Sequence, residues 1–155
     1  MSIDKDQVIA QLNSILECEL AGVVRYTHYS MMIFGYSRIP IVSWFQQEAQ
    51  ESLTHAQEAG EMVTRLGGHP SLGIGPLLET HQHDMGQILR ETLEAEHVAL
   101  RLYYELLKTV EGKSVPLEEY ARDHIVQEEA HIDEIDKMLR KPGDVEMSKE
   151  ARELA

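Results

Sequence analysis

Only one cysteine, Cys18, occurs in the chain, so no internal disulfide can form, and the pattern fits a reducing cytoplasm. Bases are scarce: 14 Lys and Arg stand against 27 Asp and Glu, a formal charge of −13 at pH 7. Such a surface repels phosphate backbones, which excludes nucleic acid as an expected partner, and it attracts cations. No apolar run approaches the roughly 18 residues a membrane span needs. The opening "MSIDKDQVIA" lacks the basic-then-apolar layout of a secretory signal, so no membrane is expected either. Phosphate-cradling glycine loops, nucleophile elbows and CxxC pairs are all missing. What remains is a 155-residue chain, 43% hydrophobic, long enough to bury one core and read as a single domain over 1–155.

Proline and glycine are concentrated where the pattern breaks: "GYSRIP" (35–40), "GGHPSLGIGP" (67–76), "EGKSVP" (111–116) and "KPG" (141–143). Between the breaks lie four runs with helical spacing and no strand alternation. The first uses Val8, Leu12, Ile15, Val23 and Tyr26, and the second Ile41, Phe45, Ala59, Met62 and Leu66. The third uses Met85, Leu89, Leu93, Leu100, Tyr103, Leu107 and Val110, and the fourth Leu117, Ala121, Ile125, Ile132, Ile135 and Leu139. The spacing predicts helices over about 4–34, 41–67, 81–111 and 116–140, followed by a short polar tail, 141–155. Short first and third links suit antiparallel neighbours, and the longer middle link can cross the length of the bundle. The expected fold is all-α, an antiparallel four-helix bundle with one long crossover.

Each predicted helix carries polar residues inside its apolar stripe. They are Glu19 in the first, Glu48 and His55 in the second, Glu96 in the third, and Glu128 with His131 in the fourth. One hidden acid could be a paired core residue, but acids or histidines in all four seams at similar depth are hard to explain by packing. The spacing also repeats. His55 follows Glu19 by 36 residues and His131 follows Glu96 by 35, while Tyr26 and Tyr103 each lie seven after the acid of their own half. Carboxylates and imidazoles converging inside a bundle are the ligand set of a di-iron or di-manganese site. Elsewhere "HQHD" (81–84) reads first as an exposed, acid-capped helix start and second as a surface metal site. His28, His69, His97 and His124 have no nameable partner in the sequence, and Cys18 should point off the face of Glu19.

The stretches "LNSILECELAGVVRY", "FQQEAQESLTHAQEAGEMVTRLGGHP", "LEAEHVALRLYYELL" and "EEAHIDEI" resemble the four helices of bacterioferritins and their ferritin-like relatives, from about Val8 to Leu139. The resemblance implies a ferritin-like bundle that oxidises ferrous iron with oxygen or peroxide for storage or detoxification. It makes Glu19, His55, Glu96, Glu128 and His131 metal ligands and assigns catalysis to Glu19, Glu96, Glu128 and Tyr26. The cofactor it implies is a di-iron centre, with manganese as the alternative metal. Two positions depart from the family's pattern. Ser52 stands where the family has a ligating Glu, so that either Glu51, four before His55, is the substitute or the site lacks one bridging carboxylate. Leu53 stands where the family has its haem-binding methionine, so haem is not expected. A homo-oligomer, from a dimer up to a hollow shell, is implied as well. Met31, Met32, Ile33, Phe34 and Trp44 supply a candidate face for it. Alternative readings keep the metal and drop storage, as an oxidoreductase, or keep only a helical interaction bundle.

Overall fold

The computed structural model describes residues 2–77 and 79–154, leaving Met1, Leu78 and Ala155 outside. Five helices are present among the described residues: α1 Lys5–Met32, α2 Arg38–Arg65, α3 Met85–Val110, α4 Val115–Leu139 and α5 Lys149–Leu154. Local chemistry sets the ends. Asp4 and Asp84 cap α1 and α3 by accepting from the Gln7 and Gln87 amides. Gly67 terminates α2 at φ 83°, a left-handed turn, while the Gly67 and Gly68 amides recover the Thr64 and Val63 carbonyls.

These ends correct three expectations. The second helix starts at Arg38 rather than 41, because Pro40 fits within a first turn whose amides have no partner. The third starts at Met85 rather than 81, because Asp84 is the cap and His81 is left-handed, at φ 57°. The polar tail contains α5, which packs on α3 through buried Ala151. Asp136 on α4 anchors it, accepting from the Ser148 amide at 2.8 Å while Arg140 holds its other oxygen at 2.8 and 3.0 Å.

The helices form an antiparallel four-helix bundle. α1 packs with α2, α3 with α4, and α1 with α3. Leu12, Ile15, Phe45, Leu93, Leu106 and Ile135 are among the side chains sealed in its centre, each stabilising by roughly 1.5–3 kcal/mol relative to exposure. The crossover climbs α1 in register. Asn13 bonds His69 and Ser71, the Gly75 amide donates to the Glu17 carbonyl, Arg25 reaches the Pro76 carbonyl, and His28 meets Glu79. It therefore returns the chain to the far end of α1 before α3 begins. At the α1–α2 turn Ile33 belongs to the core, while Met31, Phe34, Tyr36 and Ile39 are exposed and Met32 and Trp44 half-buried. No helix is long and apolar enough to cross a membrane among the described residues.

Candidate metal centre

Midway along the bundle the four seams face one another, and the polar residues they carry meet. Glu19 of α1, His55 of α2 and Glu128 of α4 bring donor atoms within 4.8 Å of one another, and so do Glu96 of α3, Glu128 and His131. Glu128 belongs to both trios. Glu19, Glu48, His55, Glu96 and Glu128 are all buried.

Ring orientation organises the cluster. His55 turns Nδ1 inward, 3.7 Å from Glu19 and 3.8 Å from Glu128, and its Nε2 sits 3.0 Å from the Gln127 side-chain oxygen. His131 also turns Nδ1 inward, 3.4 Å from Glu48, 3.9 Å from Glu128 and 4.0 Å from Glu96. Its Nε2 lies 2.7 Å from Glu51. With the outer nitrogens donating to Gln127 and Glu51, both inner nitrogens keep a lone pair for the cluster. Glu51, expected as the substitute for Ser52, thus occupies the outer nitrogen of His131 and is half-exposed, whereas buried Glu48 faces the inner one. Ser52 is buried against Gly22, where even a Cβ would come within 2.9 Å of its hydroxyl.

The tyrosines cross between halves. Tyr26 donates to Glu96, and Tyr103 donates to Glu19 at 3.0 Å. Around them the electrostatics are those of crowded anions. Burial, then Glu96, pushes the Glu128 carboxyl well above the ordinary range, and burial likewise raises Glu96. Burial lifts Glu48 to about 7, although His131 opposes the rise. Burial alone would lower His55, but the neighbouring Glu19 carboxylate outweighs this and raises it. Among the described residues no lysine or arginine reaches ion-pair distance of these carboxylates, and Oε2 of Glu128 is buried without a hydrogen-bond partner. A carboxylate-rich interior of this kind is suited to cations.

Sequence reasoning assigned no part here to two side chains, Gln127 and His124. Gln127 orients His55. His124 is buried, stacks on Tyr103 with ring centroids 4.9 Å apart, meets His55 edge-on at 4.5 Å, and contacts Glu58 through Nε2 at 2.7 Å. Its position four residues before Glu128 was the available signal. Cys18 is half-buried beside Glu19, its thiol pushed up to about 12 by burial and then by Glu19, which makes it a poor nucleophile.

Comparison with known proteins bears on the fold and the family. A bacterioferritin of Rhodobacter capsulatus is 29% identical over 133 residues, covering 82% of this chain and 79% of that one. Its crystal structure, with a metal-free dinuclear site and haem iron, superposes with a TM-score of 0.76 at 25% identity over 88% of this chain and 85% of its own. A ferritin-like, diiron-carboxylate protein from Bacillus anthracis str. Ames reaches 0.84 at 23% identity, over 90% of this chain and all of its own. A dodecameric thioferritin, the bacterioferritin-related protein from Bacteroides fragilis, also reaches 0.84 at 23% identity, over 89% and 87%. These last two show the fold. The profile of the ferritin-like domain matches residues 9–143, nearly the whole bundle, and the chain belongs to the ferritin-like family.

Proposed function

We propose that the buried cluster binds two iron ions and that the chain oxidises Fe²⁺ with oxygen or peroxide, as a step in iron storage or detoxification. One observation carries this reading: two acid–imidazole trios share Glu128, and among the described residues no lysine or arginine forms an ion pair with their carboxylates. Glu19, His55 and Glu128 would hold one ion, and Glu96, Glu128 and His131 the other, with Glu128 common to both sets. The donor set fits, since carboxylates tolerate both ferrous and ferric charge and each imidazole completes one metal. Manganese is the alternative occupant of the same donors. Glu48 takes the part of the carboxylate absent at Ser52, and Glu51 steadies His131 from outside. Leu53 provides no sulfur for a haem iron.

Iron supplies the one-electron change, each Fe²⁺ giving one electron to the oxidant. The chain supplies the field in which that change is favourable. Clustered carboxylates attract the higher charge more strongly, and their burial keeps that preference large. Tyr26 and Tyr103 each occupy one oxygen of Glu96 and Glu19, which fixes the carboxylates and leaves their second oxygens for the cation. The acidic surface draws cations towards the bundle. A homo-oligomer accompanies this function, because a lone bundle has no cavity for a mineral; the dodecameric relative supports that part of the reading.

Aerobic addition of Fe²⁺ should give ferric absorbance faster than a protein-free blank, and the variant Glu128→Ala/His131→Ala should lose the acceleration. Oxidation by that variant at the parent's rate would sink the proposal. Storage is separated from oxidoreductase action by the ferric iron retained after gel filtration. Many ions per chain are expected, whereas retention of only the site's own pair of ions would leave ferrous oxidation without storage.

A further inference from the structure

At the far end of the bundle, where the crossover reaches the C-terminal part of α1, a second group of metal-binding side chains gathers. His28 projects from α1, nine residues beyond Glu19 and so about 13 Å further along the helix. Glu79, His81 and His83 come from the last residues before α3. One donor atom from each of the four lies within 4.8 Å of the others, and none of them belongs to the buried cluster. Nε2 of His28 is 2.7 Å from Oε2 of Glu79, and Nε2 of His83 is 3.5 Å from Oε1.

Three details point to a ligand. Oε2 of Glu79 and the Nε2 atoms of His28 and His83 are shut off from solvent, yet none has a partner in hydrogen-bonding alignment. They converge on one another as donors around a cation do. Next, His81 adopts φ 57°, uncommon for a residue with a side chain, and its amide turns back to hold the Glu79 carboxylate. Lastly, the three rings are clustered, with His28–His83 and His81–His83 centroids at 5.8 and 5.9 Å, both near edge-on.

We propose that His28, Glu79, His81 and His83 form a second, separate metal site for a zinc-like divalent transition ion. Three imidazoles and one carboxylate complete a tetrahedral set with no position left open, the mark of a structural site rather than a catalytic one. Its role is to fasten the crossover to α1, joining residues 51 or more apart in sequence. Arg25 lines the adjoining cavity, but its guanidinium is directed to the Pro76 carbonyl and does not compete for the ligands.

Zinc counting after desalting tests this. The full chain stripped of metal and reloaded with Zn²⁺ should keep one more equivalent than His81→Ala/His83→Ala, and His28→Ala should lose the same equivalent. In a Glu128→Gln/His131→Ala background, which disables the buried centre, Co²⁺ should give the intense visible bands of tetrahedral coordination, and adding His81→Ala/His83→Ala should abolish them. The loop variant should still oxidise Fe²⁺ at the parent's rate, which shows that it is folded. Equal zinc content in the parent and either variant, or Co²⁺ bands that survive loss of the loop histidines, would overturn the proposal. Neither result touches the reading of the buried cluster.

Discussion

Tyr26 and Tyr103 are sealed in the bundle, and a phenol so placed needs an acceptor. Each finds it on the opposite half of the chain, so the sevenfold spacing from Glu19 to Tyr26 and from Glu96 to Tyr103 marks a symmetry but conceals an exchange. Removing either hydroxyl leaves a buried carboxylate with one donor fewer. Tyr103→Phe and Tyr26→Phe should each cost about 1–3 kcal/mol in the metal-free protein, read from denaturant midpoints. The outer partners of the two imidazoles make a second prediction. Gln127→Ala and Glu51→Ala should each weaken one of two metal positions by roughly 10–100-fold, resolved by calorimetric titration. Loss at both positions from either change would contradict the assignment. Glu19, His55, Glu96, Glu128 and His131 were legible in the sequence because each interrupts an apolar stripe, where burial is implied by period alone. Glu51 was named as a ligand, but which nitrogen it reaches depends on the rotation of His131. The contact between His124 and Glu58 likewise joins two helices whose relative register no local pattern encodes.

Among the elements, helix ends near Pro40, Gly67, Gly112 and Gly143 were readable to within a few residues, since each of these residues has a steric reason to sit at or beside a helix terminus. The start of α3 was not, because "HQHD" contains no breaker and the left-handed turn falls on a histidine. The tail helix was hidden for a different reason: one carboxylate anchors it rather than an apolar stripe. Asp136→Asn should therefore release 141–154 without melting the bundle, seen as faster proteolysis at Lys141 and Lys149. Acid should do the same. Burial alone would raise the Asp136 carboxyl, but the Ser148 amide and Arg140 hold it below its ordinary value. That stabilisation is complete above the unfolded value of about 4 and is lost as the pH falls through the lower folded value. Tail protection in hydrogen exchange should decline only in that acidic window.

For the whole molecule, the exposed cluster of Met31, Phe34, Tyr36 and Ile39 at the α1–α2 turn is the place where a further copy would gain most by packing. Light scattering on the proposed oligomer should give a mass of many subunits, and Phe34→Asp/Ile39→Asp should reduce it; an unchanged mass would move the contact elsewhere. The all-α class and the crossover followed from the breaks in periodicity, but the path of that crossover along α1 did not. It rests on Asn13, Arg25 and backbone groups, which carry no periodic signature. The exchange of tyrosines has a consequence for how the protein comes together. Neither α1–α2 nor α3–α4 contains a finished set of groups around its own acid, since each borrows a phenol, and Glu128 serves the α1–α2 trio from α4. A chain cut within the crossover would yield two hairpins that are deficient alone and competent together. Iron capture would then report their reunion, as in a split reporter whose signal is built into its own interior.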